Sequence, residues 1–116
     1  MYRFSYGEVL EETPQSARQR ERLALEHAVL LLQAAAKTGH GTSREAVEAL
    51  HFCSRLWAVL IEDLAHPDNQ LPTKLRADII SIGLWIMKEA EEIRQGRSQN
   101  FDGIIQVTRA IAEGLQ

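Results

Sequence analysis

The stretch AVEALHFCSRLWAVLIEDLA, residues 46–65, decides the fold. Within it Ala46, Leu50, Cys53, Trp57, Leu60 and Leu64 follow one another at steps of four, three, four, three and four. That alternation returns to one side of an α-helix every two turns, which gives an apolar seam of the kind that joins antiparallel helices. Just upstream, Thr42 and Glu45 have the spacing of a capping box, in which a hydroxyl and a carboxylate satisfy amides that the first turn leaves free. The segment therefore reads as a helix over 43–65, with Cys53 and Trp57 on its seam.

Towards the N-terminus, Thr38-Gly39-His40-Gly41 breaks the pattern and reads as an interhelical turn. Before it lies a helix over 14–37 that starts at Thr13-Pro14, since a proline in the first turn gives up only an amide that has no helical partner. Its apolar set is Ala17, Leu25, Ala28, Val29, Leu32 and Ala36. Ser5 and Glu8 repeat the capping-box spacing and suggest a short N-terminal turn over Ser5 to Glu11, which Gly7 weakens.

Towards the C-terminus, His66-Pro67-Asp68-Asn69-Gln70-Leu71-Pro72 is a loop, after which a third helix spans 73–95 and ends before Gly96. Leu75, Ile79, Ile82, Ile86, Ala90 and Ile93 form its main stripe. Ile80, Leu84, Trp85 and Met87 widen that stripe until only a narrow polar strip is left, which predicts neighbours on several sides. A fourth helix over 99–113 carries Phe101, Ile104, Ile105, Thr108, Ile111, Ala112 and Leu115 on one face, with Gly114 as its C-terminal cap. With no strand pattern and no internal repeat, the reading is all-α: a compact up-and-down bundle of four main helices in a single domain spanning 1–116.

The 116 residues, 45% apolar and 25% charged, suit one small globular core. A net charge of -3 gives no positive field to meet phosphates, so direct nucleic-acid binding is disfavoured, and Arg20 projects away from Arg18 and Arg22 on a helix. The first residues, MYRFSYGEVLEETP, lack the apolar core of a signal peptide, and no stretch is long and apolar enough to span a membrane. A single cysteine fits a reducing compartment, so the expected location is the cytoplasm.

Catalytic chemistry requires groups that converge. His51 and Cys53 are two residues apart and project to opposite sides of a helix, so they form no dyad. His27, His40, His51 and His66 lie on different segments without a metal-ligand spacing, and Gly39-His40-Gly41 lacks the length and the lysine of a phosphate loop. Glu89, Glu91 and Glu92 beside Lys88 and Arg94 read as a solvated helix face. The expectation is a binding protein, not an enzyme, with no cofactor and no metal.

Two side chains on the third helix bear on binding. Stepping by 100° per residue puts Trp85 with Asp78, Ser81, Glu89 and Glu92. It is either core, if the bundle wraps this helix on all sides, or a partner-facing aromatic anchor. Arg76 lies with Lys74 near the positive end of the helix dipole, where a cation is mildly unfavourable. An acid on another helix, solvent, or a partner carboxylate could each hold it. Self-association through this wide helix is also open.

The segment NQLPTKLRADIISIGLW, Asn69 to Trp85, resembles the signature region of FlaF, a family of flagellar biosynthesis regulators of alphaproteobacteria. An early tyrosine followed by ETP at Glu12 to Pro14, the Leu56-Trp57 pair and the C-terminal IIQVTRAIAEGL extend the likeness over nearly the whole chain. The family pattern often carries an Asn before the last Arg, where this chain has Thr108 before Arg109. The resemblance implies a protein that promotes flagellin synthesis or secretion, binding flagellin, FlbT or both as a chaperone-like adaptor. It makes Asn69, Pro72, Arg76, Trp85 and Arg109 candidate partner-binding residues. The alternative is an RNA-associated post-transcriptional regulator of the flagellin message.

Overall fold

The computed structural model describes residues 14–38 and 42–114. The turn at Ser5 to Glu11, the helix start at Thr13, the Gly39-His40-Gly41 turn and Leu115 lie outside the described residues. Helices α1 (Pro14–Ala36), α2 (Arg44–Ala65), α3 (Thr73–Arg94) and α4 (Phe101–Glu113) follow one another with no strand among the described residues.

Local chemistry fixes most helix ends. The cap of α2 falls on Ser43, one residue later than the Thr42–Glu45 spacing suggests, and its hydroxyl accepts from the Ala46 amide at 3.0 Å. Asn100 caps α4 in the same way through Gly103 N at 3.0 Å, so α4 begins two residues after the expected Gln99. At the end of α3, Gly96 takes a φ of 80°, and the Arg97 and Gly96 amides return to the Glu92 and Ile93 carbonyls at 2.8 and 3.0 Å. This is the paired closure that glycine permits in left-handed backbone. Gly114 closes α4 at a right-handed φ of -71°. The acids of α3 are held at its surface, Glu92 by Arg97 at 2.8 Å and Glu89 by the Ser98 hydroxyl at 2.8 Å.

Residues near the start of α1, Ala17 to Leu25, share one cavity wall with Leu60 and Leu64 near the end of α2, Ile79 near the start of α3 and Ile111 near the end of α4. Sequential helices therefore run antiparallel, the up-and-down arrangement. Around the ring, α1 packs on α2 and α4, α2 packs on α3, and α3 meets α4 only narrowly. The core is Leu25, Val29, Leu32 and Ala35 of α1, the whole α2 seam with Ala49, Ile86, Ala90 and Ile93 of α3, and Phe101, Ile104, Ile105 and Ala112 of α4. Ala35 takes the inward position expected of Ala36, which is exposed.

The expectation that α3 is wrapped on several sides is wrong. It buries Gly83, Ile86, Ala90 and Ile93, while Leu75, Leu84 and Trp85 are 44%, 56% and 41% exposed. Leu84 and Trp85 lie off the buried face of α3, whereas for Leu75 the cause is a mismatch of length: α4 has 13 residues against 22 in α3. At about 1.5 Å per residue, α4 is about 13 Å too short to cover its neighbour. Because the two run antiparallel from a short loop, the uncovered part is the start of α3.

Candidate partner surface

Three of the five candidate residues meet at the α2–α3 corner. Asn69 organises the loop from within: its Oδ1 accepts from the Leu71 amide at 3.0 Å, and its Nδ2 donates to the Asp63 carbonyl at 3.2 Å and Asp63 Oδ2 at 3.3 Å. Pro72 precedes α3 with φ -56° and ψ 144°, and its carbonyl accepts from the Arg76 amide at 3.0 Å. Arg76 points back at α2, where Nη1 donates to the Leu64 and His66 carbonyls at 3.2 and 3.3 Å.

That geometry answers the question of what holds Arg76. Carbonyls at the end of a helix have no intrahelical donor and form the negative end of its dipole, so a guanidinium placed there both satisfies and neutralises them. The cation is unfavourable for its own helix and favourable for the preceding one. The pattern of a single helix hides this contact, because the acceptors are backbone atoms 10 and 12 residues away.

Trp85 lies nine residues beyond Arg76, half a turn out of phase, and so faces away from α2. At 41% exposure it belongs to the surface, and the core reading fails. Arg109 is exposed on α4 and lines a shallow pocket of about 400 Å³ with Gln33, Ala36, Lys37, Asp102 and Ile105, at the opposite end of the bundle from the corner. Thr108, where the family pattern often has Asn, is fully buried and its hydroxyl has no partner. The five candidates thus form one corner cluster, one separate flank and one distant end.

Sequence reasoning missed a groove of about 450 Å³ at the corner end of the bundle. Leu25, Trp57, Leu60, Leu64, Ile79 and Ile111 supply its apolar wall, and Asn69 to Leu71 form part of its rim. Leu71 is 40% exposed there. Trp57 itself is fully buried, and its indole N–H has no acceptor. The signal in the sequence was the short α4 pattern beside the long α3 pattern, which leaves one end of the ring unfilled.

Cys53 is also fully buried, and burial pushes its thiol up to about 12, so it is neutral and unreactive at ordinary pH. Among the described residues, no group of three or more His, Cys, Asp or Glu side chains could hold a metal ion. Within the same residues, no helix is long and apolar enough to cross a membrane.

The family model for flagellar protein FlaF matches residues 2–115. No curated protein and no solved structure matches the chain.

Proposed function

The chain belongs to the FlaF family of flagellar proteins, and from that membership we propose that it promotes flagellin synthesis or secretion as a chaperone-like adaptor that binds flagellin, FlbT or both. It works in the cytoplasm as a binding protein, not as an enzyme. The observation that carries the binding mechanism is the apolar groove at the open end of the bundle, continuous in sequence with the exposed Leu71 and Leu75. An amphipathic helix lays its apolar face into such a groove, with side chains three and four residues apart as anchors. Flagellin segments that are apolar on one face and not yet assembled are the kind of surface that aggregates unless covered.

The test mixes the purified chain with monomeric flagellin and, separately, with FlbT, and measures complex formation by calorimetry and gel filtration. A one-to-one complex with at least one of them, little weakened between low and physiological salt, is the expected result. If neither protein binds at any salt concentration, the adaptor reading is lost.

A further inference from the structure

We propose that the chain forms a reversible antiparallel dimer through the outer face of α2, in which Arg55 and Glu62 of one copy pair with Glu62 and Arg55 of the other. Behind its buried seam, α2 carries a second row at heptad spacing, His51, Arg55, Ala58, Glu62 and Ala65, and every member of that row is exposed. Val59, 62% exposed, forms one margin of the row. Leu84 of α3, 56% exposed, forms the other, one residue beyond the Gly83 that packs on Trp57 and Ile61. The centre of the face is thus small and apolar, with Ala58 between Val59 and Leu84, and it allows a second helix to approach closely.

Charge decides the occupant. Seven residues return a helix to within about 20° of its starting direction and advance it by about 10.5 Å. Arg55 and Glu62 therefore point the same way, one on each side of Ala58 and Val59. A two-fold axis midway between Ala58 and Val59 brings Arg55 opposite Glu62 of the second copy and, by symmetry, Glu62 opposite its Arg55. A parallel pair in register would instead set Arg55 against Arg55 and Glu62 against Glu62, so the charges select the antiparallel arrangement. Both side chains are available for it: among the described residues, the ion pairs Arg44–Glu48, Lys74–Asp78, Arg94–Glu91 and Arg97–Glu92 involve neither. The face is one helix wide, which places the dimer at the small end of specific interfaces and makes it depend on concentration. The groove at the open end lies on the inner side of α2, at Leu60 and Leu64, so both copies keep it free.

The experiment follows the isolated full chain by sedimentation velocity and light scattering, from micromolar concentration to about 1 mM. The wild type is expected to pass reversibly from monomer to dimer, less readily at high salt. Arg55→Glu and Glu62→Arg should each weaken the dimer about tenfold, since each turns two attractive pairs into two repulsive ones. The variant carrying both changes should recover it. An equal mixture of the two single variants should recover it as well, because each copy then supplies the charge that the other lacks. Recovery in the mixture also shows that both variants fold. A wild type that stays monomeric at about 1 mM, a dimer indifferent to these reversals, or a mixture that fails to recover it overturns the proposal. No flagellin or FlbT is present, so the result is independent of whether the adaptor reading holds.

Discussion

Gly83 of α3 lies directly against the Trp57 ring of α2: a β-carbon at Gly83 would stand 2.6 Å from Trp57 Cε3, 3.1 Å from Cζ3 and 3.0 Å from Ile61 Cδ1. The absence of a side chain is what lets the two helices approach over a tryptophan. Trp57 is fully buried in a packed core, so its ring has little freedom to retreat.

Gly83→Ala should therefore destabilise the fold even though alanine is the better helix former. Overpacking of a filled core costs about 1–3 kcal/mol, against a helix-propensity gain of about 1 kcal/mol. A net loss of about 1 kcal/mol lowers Tm by roughly 4–8 °C in a domain near this size. A thermal melt showing an unchanged or higher Tm would mean that the α2–α3 contact is looser than described.

Arg76→Met keeps an apolar stem of similar reach and removes the donors to the Leu64 and His66 carbonyls. Hydrogen bonds from a charged donor contribute about 1.5–3 kcal/mol, and the partial exposure of this site reduces the expected loss to about 1 kcal/mol. Arg76→Lys should recover part of that loss, since an ammonium still neutralises the end of α2 but lacks the planar fork. Denaturant midpoints ordered wild type, Lys, Met are the expected result. Equal midpoints for all three would show that the arginine is free for another role.

The helices and their buried faces were legible because periodicity is a local property: the α2 seam from Ala46 to Leu64 is buried as its spacing requires. What escaped was set by relations between helices. Arg76 bonds to backbone atoms of another helix, which no side-chain pattern records. The exposure of Leu75 follows from where α4 stops, not from the sequence of α3. Ser43 took the cap from Thr42 because both carry a hydroxyl and the choice between them rests on backbone geometry, an extended φ of -64° and ψ of 158° at Ser43.

Trp85→Ala should cost less stability than Gly83→Ala despite removing the larger side chain, because 41% of Trp85 is already in water and its contacts lie outside the core. If Trp85 anchors flagellin or FlbT, the same change weakens that complex at least tenfold, the usual behaviour of an aromatic hot spot. Calorimetric titration of each partner against wild type and variant measures the effect. An unchanged affinity would remove Trp85 from the binding surface.

Cys53 provides a probe of opening from inside the α2 seam. Its thiol is fully buried, and burial alone pushes it up to about 12 from a value of 9.0. Only the thiolate reacts. Labelling by a thiol reagent at pH 8 should accordingly be slow in the native chain, and it should become rapid once denaturant exposes the side chain. The same shift links stability to pH. Below pH 9 the thiol is protonated in both folded and unfolded chains and contributes no pH dependence. Between pH 9 and about 12 the unfolded chain loses the proton while the folded chain keeps it, so this group makes stability fall as pH rises through that window. Cys53→Ala should flatten that alkaline decline, at the cost of a small cavity that lowers stability uniformly at neutral pH. Rapid labelling of the native chain, or an alkaline decline identical in the Cys53→Ala variant, would show that the seam opens more readily than its packing implies.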